Sequence, residues 1–480
     1  MMRPKVGLAV LALVLIAGVA FAGGQAEGEG GDRGKPDTLT VVWHAGTCAD
    51  ALLDVAQGFE EETGVKVEGS LVPYGPQWHD KIASEFAAQG SGFDLAAWDS
   101  QSASEFAGGG HAVQLNPLLQ ESDMLDADDF SPEMRSRYGE YPDGSGDYYA
   151  LPVNADSLGM MYRTDLFEDP AEQRAFRQEY GYDLEIPQTY EQLRDMAEFF
   201  TRPDEGLYGW GMYGGRQYDY ATSSSNSFIW SFGGELWNPD TFEVKGYLDS
   251  PASVDGLEVY LDLLQFCPPG VETWGFDEIN SAFASGRLAM AQQWFYFFGS
   301  MLDPEQSEVH NDVGFGILPG GVGRDGLFRR QFSMGGQGLG INKYTNYPEW
   351  SWRFLEWYMQ YDQQFEYAKT CQTGRRDVLE DPEWKNLNPY NKLFLPAMEY
   401  TNDYWHLPEY AIMLDVMQEE VHNAITGSKT AQQALSDCAE RHEQILERAG
   451  YDIERTTNVD VPDTQVDPCG QEEVTPVQID

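Results

Sequence analysis

Residues 277–299 read DEINSAFASGRLAMAQQWFYFFG. Phe276, Ile279 and Phe283 recur at helical spacing with small Ala282 beside them, and Gly286 supplies a left-handed stop. Leu288 to Ala291 is apolar and too short for another helix, so it reads as a buried strand. Trp294 follows directly. In an open α/β sheet, ligands sit beyond the carboxyl ends of strands, which makes Trp294 a candidate ligand platform. The alternative reading makes it only the first ring of the apolar run Trp294 to Phe298.

The N-terminal part has the same grammar. Leu39 to Trp43 reads as a strand. A helix with Leu53, Ala56 and Phe59 on one face follows and stops at Gly64. Val65 to Val72 alternates as a second strand, Trp78, Ile82 and Phe86 mark a second helix, and Phe93 to Trp98 is a third strand. This βαβαβ order predicts a parallel, doubly wound sheet. Three loops then fall at carboxyl strand ends: 44–49, 73–77 and 99–102.

Further along, two strands, 148–153 and 157–162, are expected around Asn154-Ala155-Asp156. Thr189 and Gln192 form a capping box. Residues 208–213 read as a short strand, Ser250-Pro251 as a helix start, 313–319 as a strand, and 332–342 as a Gly-rich strand. Residues 350–368 read as one aromatic helix, 389–421 as largely helical, and 430–449 as a last helix ending at Gly450.

The first 22 residues read as a secretory signal: Arg3 and Lys5, an apolar run to Phe21, and the small-x-small Ala20-Phe21-Ala22, with cleavage near Ala22. Residues 23–36 read as a flexible leader and 455–480 as an acidic tail. The mature chain is expected to be exported, periplasmic or extracellular, and not inserted in a membrane. Without Arg3 and Lys5 the balance is 28 Lys and Arg against 79 Asp and Glu, a net −51. That excludes nucleic acid and anionic membrane, which need a basic surface. It fits a hydrated, halophile-like surface whose self-repulsion salt screens. A cation-binding function is the alternative. No CxxC or HExxH occurs, so no metal site is signalled and no cofactor is expected.

Taken in order, LTVVWHAG, ALLDVAQGFEEETGVKV, FDLAAWDS, YALPVNADSLGMMYRTDLF, PQTYEQLRDMAEFF, AFASGRLAMAQQW, VGFGILPGG and GGQGLGINKYTNYPEWSWRFLEWYM resemble the extracellular solute-binding proteins of bacterial ABC importers. The likeness is to the sugar-binding, maltose-binding-protein-like group and spans roughly 39–450. It implies an α/β, two-lobe periplasmic-binding-protein fold. Each lobe would be a doubly wound sheet flanked by helices, with the ligand cleft at the hinge. Lobe one would be 37–153 plus 338–384, and lobe two 154–333 plus 389–450. The resemblance implies a monomer, a sugar ligand, a membrane permease as partner, and no catalysis.

Carried over residue by residue, it implicates Trp43, His44 and Thr47 after the first strand, and Trp98, Asp99 and Gln101 after the third. It also implicates Asn154 and Asp156 at the hinge, Trp294, the segment Gly335-Gly336-Gln337, and the pair Tyr404-Trp405. The hinge has Asn154 where the maltose-binding pattern has an acid, and the loop near Cys48 lacks a charged pair, so maltodextrin itself is not implied. The lobe assignment brings Cys48 and Cys371 to one rim and so implies a disulfide, with Cys469 the unpaired one of five.

A pyranose needs flat aromatic surface for its C–H face and amides or carboxylates for its hydroxyls. Trp98, Trp294 and Trp405 would be the platforms; Asp99, Gln101, Asn154 and Asp156 the hydroxyl partners. Two alternatives follow from the same residues. Aromatics with three or more carboxylates would suit a polyamine or other organic cation, whereas mixed amides and carboxylates favour sugar. Asp99 and Asp156 as an acid/base pair would make a glycosidase.

Overall fold

The computed structural model describes residues 34–455. The signal read over 1–22, most of the leader, the tail beyond Arg455, and Cys469 lie outside the described residues. Among the described residues ten strands occur: β1 Thr38–His44, β2 Lys66–Val72, β3 Leu95–Asp99, β4 Ala150–Arg163, β5 Met290–Trp294, β6 Val313–Gly316, β7 Gly321–Val322, β8 Phe328–Arg329, β9 Phe332–Ile341 and β10 Thr401–Asn402.

β1 pairs in parallel with both β2 and β3, and the helices Thr47–Thr63 and Pro76–Ala87 make the crossovers. This is the βαβαβ unit read from the sequence. The sheet then continues in the order β2-β1-β3-β9-β4-β5, with β6 also on β4 and β10 on β9. β9 is antiparallel to β3 and to β4, and β4 is antiparallel to β5 and β6. The sheet is therefore mixed rather than parallel throughout.

Two apolar cores flank this sheet. One gathers Leu39 to Phe130 with Leu151, Val153, Leu339, Ile341 and residues of the helices Pro348–Tyr358 and Tyr361–Ala368. The other runs from Ala155 through Met334 and on to Leu446. β4 and β9 pass from one core to the other: Val153 faces the first and Ala155 the second, as Leu339 and Met334 do on β9. Met134, Tyr138, Val378, Leu379 and Trp384 join the second core, whereas the sequence reading put them with the first.

Three local expectations are corrected. The break at Asn154-Ala155-Asp156 is instead the middle of β4, which stays continuous through a register shift between Pro152 and Asn154; the extra residue turns the side chains without ending the strand. The aromatic helix 350–368 is two helices, parted at Met359 and Gln360, where Gln360 is extended; neither Gly nor Pro marks that break. Residues 208–213 are no regular strand, although Gly211 donates to Met290 O and Tyr208 to Arg287 O alongside β5. Residues 389–421 are largely helical as expected, in the helices Asn391–Met398 and Tyr410–Ile425 with β10 and an irregular loop between them.

Local signals account for much of the rest. Thr189 and Gln192 form a reciprocal capping box at helix Tyr190–Phe200, and Thr430 with Gln433 does so at helix Ala431–Ala449. Gly64, Gly286 and Gly450 are left-handed where helices end. Cys48 and Cys371 are disulfide-bonded across 323 residues, with Cα atoms 5.7 Å apart. Cys267 and Cys438 are buried free thiols.

Candidate ligand-binding cleft

Where β4 and β9 cross between the cores, a cavity of about 380 Å³ opens. Its walls come from carboxyl ends of strands on both sides. β1 supplies His44, β3 supplies Asp99, and the following loop supplies Gln101. β5 supplies Trp294 from its last position. β4 supplies Asn154 and Asp156, two residues apart and hence on one face. β9 supplies Met334 and Gly335-Gly336-Gln337. Tyr74, Asp219, Tyr220, Phe276, Asp277, Tyr296 and Phe297 complete the lining.

The polar groups are tied into one network. Gln337 donates through Nε2 to Asp99 Oδ1 at 2.9 Å and accepts through Oε1 from Asn154 Nδ2 at 3.0 Å. Tyr367 donates to Asn154 Oδ1 at 3.1 Å, and the Tyr218 hydroxyl donates to Asp99 Oδ2. These bonds fix both amides and so fix which of their atoms a ligand meets. Asp156 Oδ1 accepts the backbone N–H of Ser157 at 2.8 Å and of Tyr296 at 3.4 Å. Gln101 is held by Asp403, whose carboxylate also takes Ser100 at 2.9 Å and His406 at 3.0 Å.

Burial dominates the electrostatics. It pushes the Asp99 carboxyl up to about 6 against the pull of the Gln337 and Tyr218 hydrogen bonds, with Asp403 adding to the rise. It pushes Asp156 up to about 8 despite backbone N–H donors. Asp219 also reaches about 8, from burial and then from Asp99. Burial lowers His44 to about 4, so its imidazole is neutral at pH 7. No Lys or Arg is among the cavity-lining residues. The cleft is thus acidic, with hydrogen-bonding capacity at its walls and no built-in countercharge.

Trp294 lies against bare backbone. A Cβ at Gly335 would come within 2.8 Å of its ring, so glycine there is what lets the indole take its position. Gly336 is left-handed, and a Cβ on it would meet Asn154 O at 2.3 Å. Both walls also meet directly. The Thr47 backbone N–H donates to the Tyr296 hydroxyl at 2.8 Å, and Tyr74 packs on Tyr218 and Phe276 with ring centroids 5.3 and 5.5 Å away.

The structure brings together His44, Asp99, Gln101, Asn154, Asp156, Trp294, Gly335, Gly336 and Gln337 from the sequence-derived set. It does not bring Trp43, Trp98, Tyr404 or Trp405 into the cavity. Trp43 and Trp98 are fully buried in the first core, because each immediately precedes a cavity residue, His44 or Asp99, and strand alternation turns it to the other face. Trp405 is fully buried with its ring edge-on to His442, and the Tyr404 hydroxyl bonds Thr222 at 3.3 Å. Thr47 contributes its backbone to Tyr296 at the rim rather than a side chain to the cavity. The aromatic surface comes instead from Tyr74, Tyr220, Phe276, Tyr296 and Phe297. Tyr74 lay within a strand-end loop already singled out; nothing in its local pattern distinguishes Asp219.

The sequence profile of bacterial extracellular solute-binding proteins matches residues 45–365. The chain belongs to that family. Maltose-bound MalE3 of T. maritima superposes with a TM-score of 0.73 at 25% identity, covering 85% of this chain and all of that one. A probable amino-acid ABC transporter periplasmic-binding protein of Sinorhizobium fredii is 22% identical over 422 residues, 86% of this chain and 90% of that protein. A mannitol-binding protein of Pseudomonas aeruginosa is 27% identical over 245 residues, half of each chain. The fold is the two-lobe α/β architecture of such solute-binding proteins, a non-enzymatic class. Among the described residues of this binding protein, no helix is long and apolar enough to cross a membrane.

Proposed function

We propose that this solute-binding protein captures a sugar or polyol in the cleft by closure of two lobes about β4 and β9, and passes it to the membrane permease of an ABC importer. The N-terminal signal would export it, and the mature protein would act as a monomer in the periplasm or outside the cell. The observation that carries the reading is the pairing of Trp294, seated on Gly335, with the fixed amides of Asn154 and Gln337 and the carboxyl of Asp156. A flat apolar face beside oriented donors and acceptors matches the two surfaces of a polyhydroxylated carbon chain or ring.

The ligands named for the maltose-bound and mannitol-binding relatives support the same class. An amino acid, suggested by the name of the Sinorhizobium relative, fits less well. Its carboxylate would face four aspartates with no Lys or Arg among the lining residues to receive it. The mechanism is a population shift. Ligand that touches both walls interacts more with the closed state than with the open one and so favours it.

A thermal-shift panel of the mature protein at high salt, with mono- and disaccharides, polyols, amino acids and polyamines, tests this. A ligand bound only by the folded state raises the melting temperature, by an amount that grows with its concentration over Kd. A rise with one sugar or polyol class is the expected result. A rise with amino acids or polyamines alone would overturn it.

A further inference from the structure

Asp99, Asp219 and Asp277 all line the cavity. Asp99 has both oxygens occupied, by Gln337 and by Tyr218, so it needs no further donors. Asp219 stands beside it at the start of helix Tyr220–Ser231, and its Oδ1 is buried with no hydrogen-bond partner. Asp277, exposed on helix Phe276–Ala284, lines the cavity as well. Three rings share this part of the cavity: Tyr220 packs on Phe276 at 4.5 Å, and Tyr74 on Phe276 at 5.5 Å. His44 is held neutral by burial, and the lining residues include no Lys or Arg.

We propose that the captured sugar or polyol carries an ammonium group, held by Asp219 and Asp277 among the rings of Tyr74, Tyr220 and Phe276. The inference rests on the reading of the cleft as a sugar or polyol site. Hydroxyls could bond Asp219 Oδ1, but only a cation brings the countercharge that would draw the proton from this carboxyl, which burial pushes up to about 8. An ammonium supplies both: N–H donors for the open oxygen, and the countercharge that the protein does not provide. The rings add a second attraction, because their faces are electronegative. The rest of the cavity, with Trp294, Asn154, Gln337 and Asp156, remains suited to the hydroxylated carbon frame. Division of labour within one cavity explains why it mixes amides with an excess of carboxylates.

The test is calorimetric titration of the mature protein with two matched pairs, D-glucitol against D-glucamine and D-glucose against D-glucosamine, with N-acetyl-D-glucosamine as the uncharged amide control. The expected result is that the amine of a pair binds at least tenfold tighter than its parent alcohol, and that acetylation abolishes the gain. Asp219→Asn is expected to narrow the gap to about threefold, with Asp277→Asn as a second variant should the first fail to fold. Equal binding within each pair, or tighter binding of the parents, overturns the ammonium while leaving the sugar reading intact. A tenfold gap that survives both variants overturns the assignment to Asp219 and Asp277. No binding by any of the five overturns the ammonium, and the sugar reading then stands or falls on the thermal-shift panel.

Discussion

Gly335 and Trp294 illustrate how single residues set the chemistry of this cleft. The indole occupies space that any side chain at position 335 would contest, since a Cβ there would lie 2.8 Å from the ring. Gly335→Ala is therefore expected to tilt Trp294 and weaken ligand binding at least tenfold, with a drop of only a few degrees in melting temperature. Parallel titration and thermal melts of the variant would check this; unchanged affinity would mean that the ring is not a platform. At this scale the sequence was legible where a residue ends a strand. Trp294, Asp99 and His44 all occupy last positions, of β5, β3 and β1, and all reach the cavity. It was misread one residue earlier. Trp43 and Trp98 are large, flat and adjacent to binding residues, but the two-residue period of a strand sends them to the opposite face. That signal was present in the sequence and outweighed by residue type. Asp219 carried no such signal, because its place depends on a loop brought over from elsewhere in the chain.

Among the elements, the helix Thr47–Thr63 has the clearest structural duty. It buries Leu52, Ala56 and Phe59 and sets Phe59 against Phe354 with ring centroids 5.3 Å apart. Its first turn carries Cys48, bonded to Cys371 just beyond helix Tyr361–Ala368. A crosslink that closes a loop of this length removes much freedom from the unfolded chain, on the order of 2–5 kcal/mol of stability. Reduction, or a Cys48→Ser/Cys371→Ser double variant, is expected to lower the melting temperature by several degrees; an unchanged melt would contradict the bridge as a stabilising tie. Elements with punctuation were legible: the capping box at Thr189 and the left-handed stops at Gly64, Gly286 and Gly450 lie where the sequence places them. Elements without it were not. The aromatic stripe 350–368 shows no Gly or Pro where its helix breaks, and Asn154-Ala155-Asp156, a turn by composition, is held in β4 by pairing with β9. Long-range pairing overrides local preference there.

For the molecule as a whole, charge is the dominant physical fact. A formal net charge of −49 over 480 residues makes the folded state repel itself, and salt screens that repulsion over about 10 Å at 0.1 M and about 3 Å at 1 M. The melting temperature is expected to rise by ten degrees or more between 0.1 and 2 M potassium chloride. A flat or falling curve would mean that paired surface charges, not net repulsion, govern stability. The α/β class and the family were legible because many weak segments occur in one order, which no single motif establishes. Less legible was the way β4 and β9 join the two cores in one mixed sheet, since antiparallel pairing between distant strands leaves no local pattern.

Ligand is expected to bind at the crossing of β4 and β9, on Trp294 and Asp156. The most direct measurement is calorimetric titration of the strongest sugar or polyol from the thermal-shift panel into the wild-type protein and into Trp294→Ala and Asp156→Asn variants that retain a cooperative melt. Loss of at least tenfold in affinity in each variant is the predicted result. Wild-type affinity in both would place the ligand elsewhere and contradict the account.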